Sequence, residues 1–103
     1  MSEMATLFTA IMEYAEAKGV SKINALPGCW EVQVDEQWWF AVNGQKLPVT
    51  CSHGVEIEPF HCFVEYNGWP AGIFTPYGGE FAAGSAANEE TFEAALKAAR
   101  VLP

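Results

Sequence analysis

FHCFVEYNGWPAGIFTPYGG, residues 60–79, holds two apolar, aromatic runs separated by Asn67-Gly68. A two-residue loop that matches the right-handed twist of its strands needs positive φ at both central positions, which Asn tolerates and Gly adopts freely. The stretch therefore predicts a tight β-hairpin, and the loop sets its register. Tyr66 is expected opposite Trp69, Val64 opposite Ala71 and Cys62 opposite Ile73 on one face. His61/Phe74, Phe63/Gly72 and Glu65/Pro70 fall on the other. The first set makes a core face. Pro70 has no N–H to donate and occupies a non-hydrogen-bonded position, so its nitrogen points away from the partner strand. A further strand over residues 80–83 is then expected after the Pro76-Tyr77-Gly78-Gly79 turn, pairing near Ile73–Thr75 and stopping short of Pro70.

Working outward, residues 3–18 carry Met4, Leu7, Phe8, Ile11 and Ala15 at helical spacing, with Ser2 placed to cap and Gly19 to terminate. Trp30, Val32 and Val34 alternate with polar residues, as do Trp38, Phe40 and Val42 with Trp39 and Ala41. A second Asn-Gly pair, Asn43-Gly44, predicts another tight turn that would set Leu47 opposite Phe40 and Val49 opposite Trp38. Asn88 reads as the cap of a C-terminal helix with Glu89 and Glu90 in its first turn and Phe92, Ala95, Leu96 and Ala99 as its buried stripe. The expected elements are helices over 3–18 and 88–100 and strands over 29–34, 38–42, 45–49, 55–66, 69–75 and 80–83. They assemble into a single α+β domain, 1–103: a two-layer fold with a five- or six-stranded, mostly antiparallel meander sheet and both terminal helices on one face.

Composition narrows the function classes. A chain of 103 residues that is 50% hydrophobic and 14% aromatic can bury a core without disulfides or metal. Cys29, Cys51 and Cys62 are odd in number and lack CxxC spacing, so they read as reduced thiols in the cytoplasm. Neither a secretory leader nor a membrane-spanning run is recognisable. The formal charge is −8, and no Lys or Arg lies between Lys46 and Lys97, where Glu56, Glu58, Glu65, Glu80, Glu89, Glu90 and Glu93 all lie. Direct nucleic-acid binding is disfavoured because phosphate contacts need cations. These charges either solubilise a surface or suit a basic partner.

In the predicted register, the sheet face away from the helices shows Trp39, His61, Phe63, Glu65 and Phe74. Soluble monomers seldom leave several aromatics together in water, so this face is either a partner or self-association surface, or is covered by loops such as 19–28 or 50–59. Cys51, His53, His61 and Cys62 do not form a metal set, because consecutive strand residues 61 and 62 point to opposite faces. No catalytic, cofactor or metal residues are assigned: Glu56 and Glu58 lie along one side of a strand, and no glycine-rich turn leads into a helix with Lys and Ser/Thr behind it.

The segment GWPAGIFTPYGGEFAAGSAANEETFEAAL, residues 68–96, resembles small uncharacterised proteins of phages and prophages. The likeness rests on Gly, Pro and Ala positions, implies a small accessory protein and carries over no functional residue. The expectation is a non-enzymatic, acidic accessory protein that binds another protein or itself, with no cofactor. The alternatives are an acidic inhibitor mimicking nucleic acid, and a small ligand-binding or enzymatic domain.

Overall fold

The computed structural model describes residues 3–82 and 85–102, with side chains from residue 5 onward. The elements in chain order are α1 (Glu3–Lys18), β1 (Cys29–Gln33), β2 (Trp38–Asn43), β3 (Val49–Thr50), β4 (Glu56–Ile57), β5 (His61–Tyr66), β6 (Trp69–Thr75), β7 (Gly78–Phe81) and α2 (Glu89–Ala98), with one 3-10 turn at Ile23–Ala25. Five strands form an antiparallel sheet in the order β1-β2-β5-β6-β7, and β3 and β4 pair separately. The sheet is a meander interrupted once, by an excursion between β2 and β5. The expected cap Ser2, the Met4 side chain and the expected strand end at Ala83 lie outside the described residues. Among those described, no helix is long and apolar enough to cross a membrane.

Both helices lie on one face, as their apolar stripes require. Leu7, Phe8, Ile11 and Ala15 of α1 and Phe92 and Leu96 of α2 share one core with Trp30, Val32, Trp38, Phe40, Val42, Cys62, Val64 and Phe74. The Phe74 ring meets Phe8 edge-on at 6.3 Å and lies within 6.2 Å of both Phe81 and Phe92. At the α2 start, Asn88 accepts from the Thr91 backbone N–H at 3.0 Å, and the Thr91 hydroxyl accepts from the Asn88 N–H at 2.9 Å. Two otherwise unsatisfied backbone donors are satisfied reciprocally.

The hairpin at Asn67-Gly68 has the expected form: φ is +50° and +81°, and Tyr66 faces Trp69. Gly68→Ala is expected to cost about 1–2 kcal/mol, since alanine disfavours the left-handed region. A thermal melt checks it, and an unchanged midpoint would remove the turn assignment.

The expected register holds as far as Glu65 opposite Pro70 and fails beyond it. The pairing shifts between Val64 and Glu65, so Val64 faces Gly72, Phe63 faces Ile73 and Cys62 faces Phe74. Ala71 is the extra residue of a β-bulge. One inserted residue exchanges the two faces for everything that follows. Phe74 therefore enters the helix-side core, and Ile73 turns to the other side. Glycines make room for this arrangement. A Cβ on Gly79 would lie 2.2 Å from Phe74 Cβ, and one on Gly72 would lie 2.6 Å from the Phe81 ring. Burying the larger Phe74 rather than Ile73 removes more apolar surface from water.

The second Asn-Gly pair is not a turn of the same kind. Asn43 is fully buried and ends β2, whose neighbours are β1 and β5, so residues 45–49 do not pair back onto β2. Its side chain donates to the carbonyls of Leu47 (2.8 Å) and Ile57 (3.0 Å) and accepts from the Gln45 N–H (3.1 Å). The Gly44 N–H donates to the Gly28 carbonyl at 2.8 Å. The expected strand over 55–66 is also broken in two, at Pro59 and at Phe60, whose φ is +58°.

Candidate functional site

The sheet face opposite the helices is covered over most of its width. The 3-10 turn and the β3–β4 excursion bring Ile23, Leu26, Val49, Cys51, Val55 and Ile57 onto Cys29, Trp39, Ala41 and Phe63, making a second apolar core. Of the two readings of this face, cover by the chain's own loops is the observed one. Trp39 and Phe63 are buried beneath the cover, and Phe74 lies in the helix-side core. His61 is half-buried, with its Nδ1 2.9 Å from the Pro59 carbonyl. Glu65 is buried, and its Oε1 lies 2.7 Å from Nδ1 of His53. The residues expected to form an open docking face are therefore parts of the interior, apart from His61.

His53 belongs to the β3–β4 loop, and its ring stacks on Trp39 with centroids 3.9 Å apart. The adjacent Ser52 donates its backbone N–H to Glu31 Oε2 at 3.1 Å and its hydroxyl to Glu31 Oε1. Two carboxylates of the sheet, Glu31 on β1 and Glu65 on β5, thus hold consecutive residues of the covering loop. A buried carboxylate needs such a partner, because desolvation without one is costly. The arrangement satisfies a structural need, and neither carboxylate is left facing a cleft as an acid or base.

The three cysteines are free thiols and all are buried. Cys62 points into the helix-side core while His61 points to the other face, as strand alternation demands. Among the described residues no three His, Cys, Asp or Glu side chains are placed to hold a metal ion. Burial pushes the Cys62 thiol well above its ordinary value, and burial likewise raises Cys29, against smaller opposing contacts from Gly44 and Gln45. A thiol whose folded pKa is raised stabilises the fold fully below its unfolded pKa, and that contribution is lost as pH rises towards the folded value. Stability is accordingly expected to fall as pH rises above about 9, where the thiol ionises in the unfolded chain and stays protonated in the fold. Urea titrations across pH 8–10 check this, and the slope assigned to this group should disappear in Cys62→Ala.

The cover stops short of β6 and β7, where three large apolar groups are exposed; Leu47 and Phe60 are exposed elsewhere. Trp69 is 76% exposed, Tyr77 94% and Ile73 39%. Trp69 occupies the core-facing row as its pairing requires, but at the sheet end, where it remains open to solvent. A shallow groove of about 400 Å³ is lined by Val55, Phe63, Pro70, Ile73, Glu80 and Phe81. A second, of about 340 Å³, runs past Tyr66, Trp69 and Ala87 and shares Pro70, Ala71 and Ala82 with the first. A carboxylate, Glu80 on β7, lines the first of these grooves. Two signals could have marked this wing, namely Trp69 lying next to a turn and Tyr77 lying within one.

A larger depression, about 670 Å³, lies elsewhere, between α1 and residues 100–102, lined by Thr6, Thr9, Glu13, Tyr14, Arg100 and Val101 among others. Comparison with protein-family models, with curated proteins and with solved structures gives no match to this chain.

Proposed function

We propose that this chain is a non-enzymatic, acidic accessory protein that works by binding another protein, with the β6–β7 wing as its contact surface. The observation that carries the reading is the exposure of Trp69, at 76%, beside Pro70 and on the same hairpin arm as Ile73. Large aromatics are the commonest energetic anchors of protein interfaces, and an indole left in water at the end of a sheet suits one. The −8 charge and the cation-free run from 47 to 96 favour a partner with a basic surface. The likeness of residues 68–96 to small phage and prophage proteins fits an accessory role, and the three free thiols fit a reducing cytoplasm.

The test is affinity capture with the wild-type chain and with Trp69→Ala/Tyr77→Ala, followed by reconstitution with the purified partner. The double variant should melt as the wild type does and lose the partner. Equal retention by both would overturn the reading.

Nucleic-acid mimicry draws less support from the geometry. Glu56 and Glu58 lie with the cover on one side of the sheet, while Glu89 and Glu90 lie with α2 on the other, so these carboxylates do not line one face. The groove between α1 and residues 100–102 favours a small-ligand reading, through Arg100 and Tyr14 beside apolar Val101. Chemical-shift changes in α1 on adding small carboxylates would test it.

A further inference from the structure

The two edges of the five-stranded sheet are treated differently. The β1 edge is closed by the chain itself: Lys22 bridges to Trp30, and the Glu31 N–H donates to the Ser21 carbonyl at 3.1 Å. At the other edge, β7 has β6 as its one strand neighbour among the described residues. Such edges template pairing unless they are blunted; Gly78–Phe81 contains no proline, lysine or arginine, and its short length and the charge of Glu80 restrict the partners it can take.

The register identifies the groups that the β7 edge presents. The Ala82 N–H donates to the Ala71 carbonyl at 2.9 Å, which fixes those opposed residues as a hydrogen-bonded pair. In an antiparallel ladder such pairs alternate with non-bonded ones. Glu80 and Gly78 are therefore bonded inward, to Ile73 and Thr75. Gly79 and Phe81 turn their N–H and C=O groups outward.

We propose that this edge accepts an extended, cationic segment of another protein as a sixth strand of the sheet. The proposal deepens the protein-binding reading and rests on it. An added strand would bond to Gly79 and Phe81 and project alternate side chains over the groove at Ile73 and Pro70, beside Glu80. A lysine or arginine there meets a carboxylate in a region without a competing cation in sequence from 47 to 96.

A second copy of this chain fits less well. Symmetric antiparallel pairing of two β7 edges through Gly79 and Phe81 sets Glu80 directly opposite its counterpart, in the closely spaced, non-bonded position. Like charges so placed are destabilising, and each chain carries a net charge of −8.

The test uses the whole chain, isotopically labelled, with a synthetic peptide of alternating lysine and valine as probe and a glutamate–valine peptide as control. With the lysine peptide, amide exchange at Gly79 and Phe81 should slow by roughly tenfold or more, while that of the inward-bonded Glu80 stays as it was. The control peptide should do neither. Glu80→Lys should weaken the lysine peptide by about tenfold without moving the thermal midpoint.

Binding that leaves Gly79 and Phe81 unchanged overturns strand addition and leaves the protein-binding reading intact. So does the absence of any peptide binding while the wing variant still loses its partner. Concentration-dependent protection without peptide overturns the choice of partner in favour of self-pairing.

Discussion

Phe74→Ala is expected to destabilise the protein by about 3–5 kcal/mol, the range for emptying a fully buried phenylalanine site. Its neighbour Ile73→Ala should cost about 1 kcal/mol or less, because that side chain is 39% exposed. The contrast matters more than either value. Without the bulge at Ala71 the two residues would exchange faces, and the order of the two effects would reverse. Urea denaturation of both variants decides between the registers. For a domain whose whole stability is about 5–15 kcal/mol, the Phe74 variant could be largely unfolded at ambient temperature. A partly truncated variant, Phe74→Leu, keeps the comparison measurable.

Asn43→Ala is expected to cost about 2–4 kcal/mol. The substitution removes the donor to the Ile57 carbonyl, a residue that is itself fully buried, and the donor to Leu47. A buried polar group left unpaired costs roughly 1–3 kcal/mol, and the lost bond from Gln45 adds to it. Asn43→Asp keeps the acceptor and loses both donors, so it should recover only part of the stability. Amides of β3 and β4 should exchange faster in both variants, because Asn43 ties the start and end of the covering excursion to the end of β2. Had Asn43-Gly44 been a simple solvent-exposed turn, the alanine variant would be close to neutral.

The two Asn-Gly pairs mark where sequence reading succeeds and fails. At Asn67-Gly68 local chemistry decides, because both strands of the hairpin are long and contiguous. At Asn43-Gly44 the same dipeptide faces a competitor: β2 finds β5 as its second neighbour, and the Asn side chain is consumed by bonds to residues 45, 47 and 57. Both helices, their shared face and the antiparallel sheet were legible from periodicity. The bulge was not, since Pro70-Ala71-Gly72 offers no large side chain to reveal which face it serves.

The second core was legible only as an alternative, cover by loops such as 19–28 or 50–59, and its members were not. Ile23, Leu26, Val49, Val55 and Ile57 come from pieces of two or three residues with no measurable period, and tertiary contact alone assembles them. The same cover moved the candidate site. Trp39 and Phe63 met their aromatic neighbours inside the molecule, and the unclaimed apolar surface passed to Trp69 and Ile73, which the pairing pattern alone had assigned to the interior.

The unequal placement of the indoles gives the molecule a built-in optical gauge. Trp30, Trp38 and Trp39 are sealed inside, and Trp69 alone stands in water. A collisional quencher such as acrylamide should therefore reach essentially one emitter in the native state. Whatever settles on the wing will shield that emitter, so occupancy can be followed in unlabelled protein by the loss of quenching.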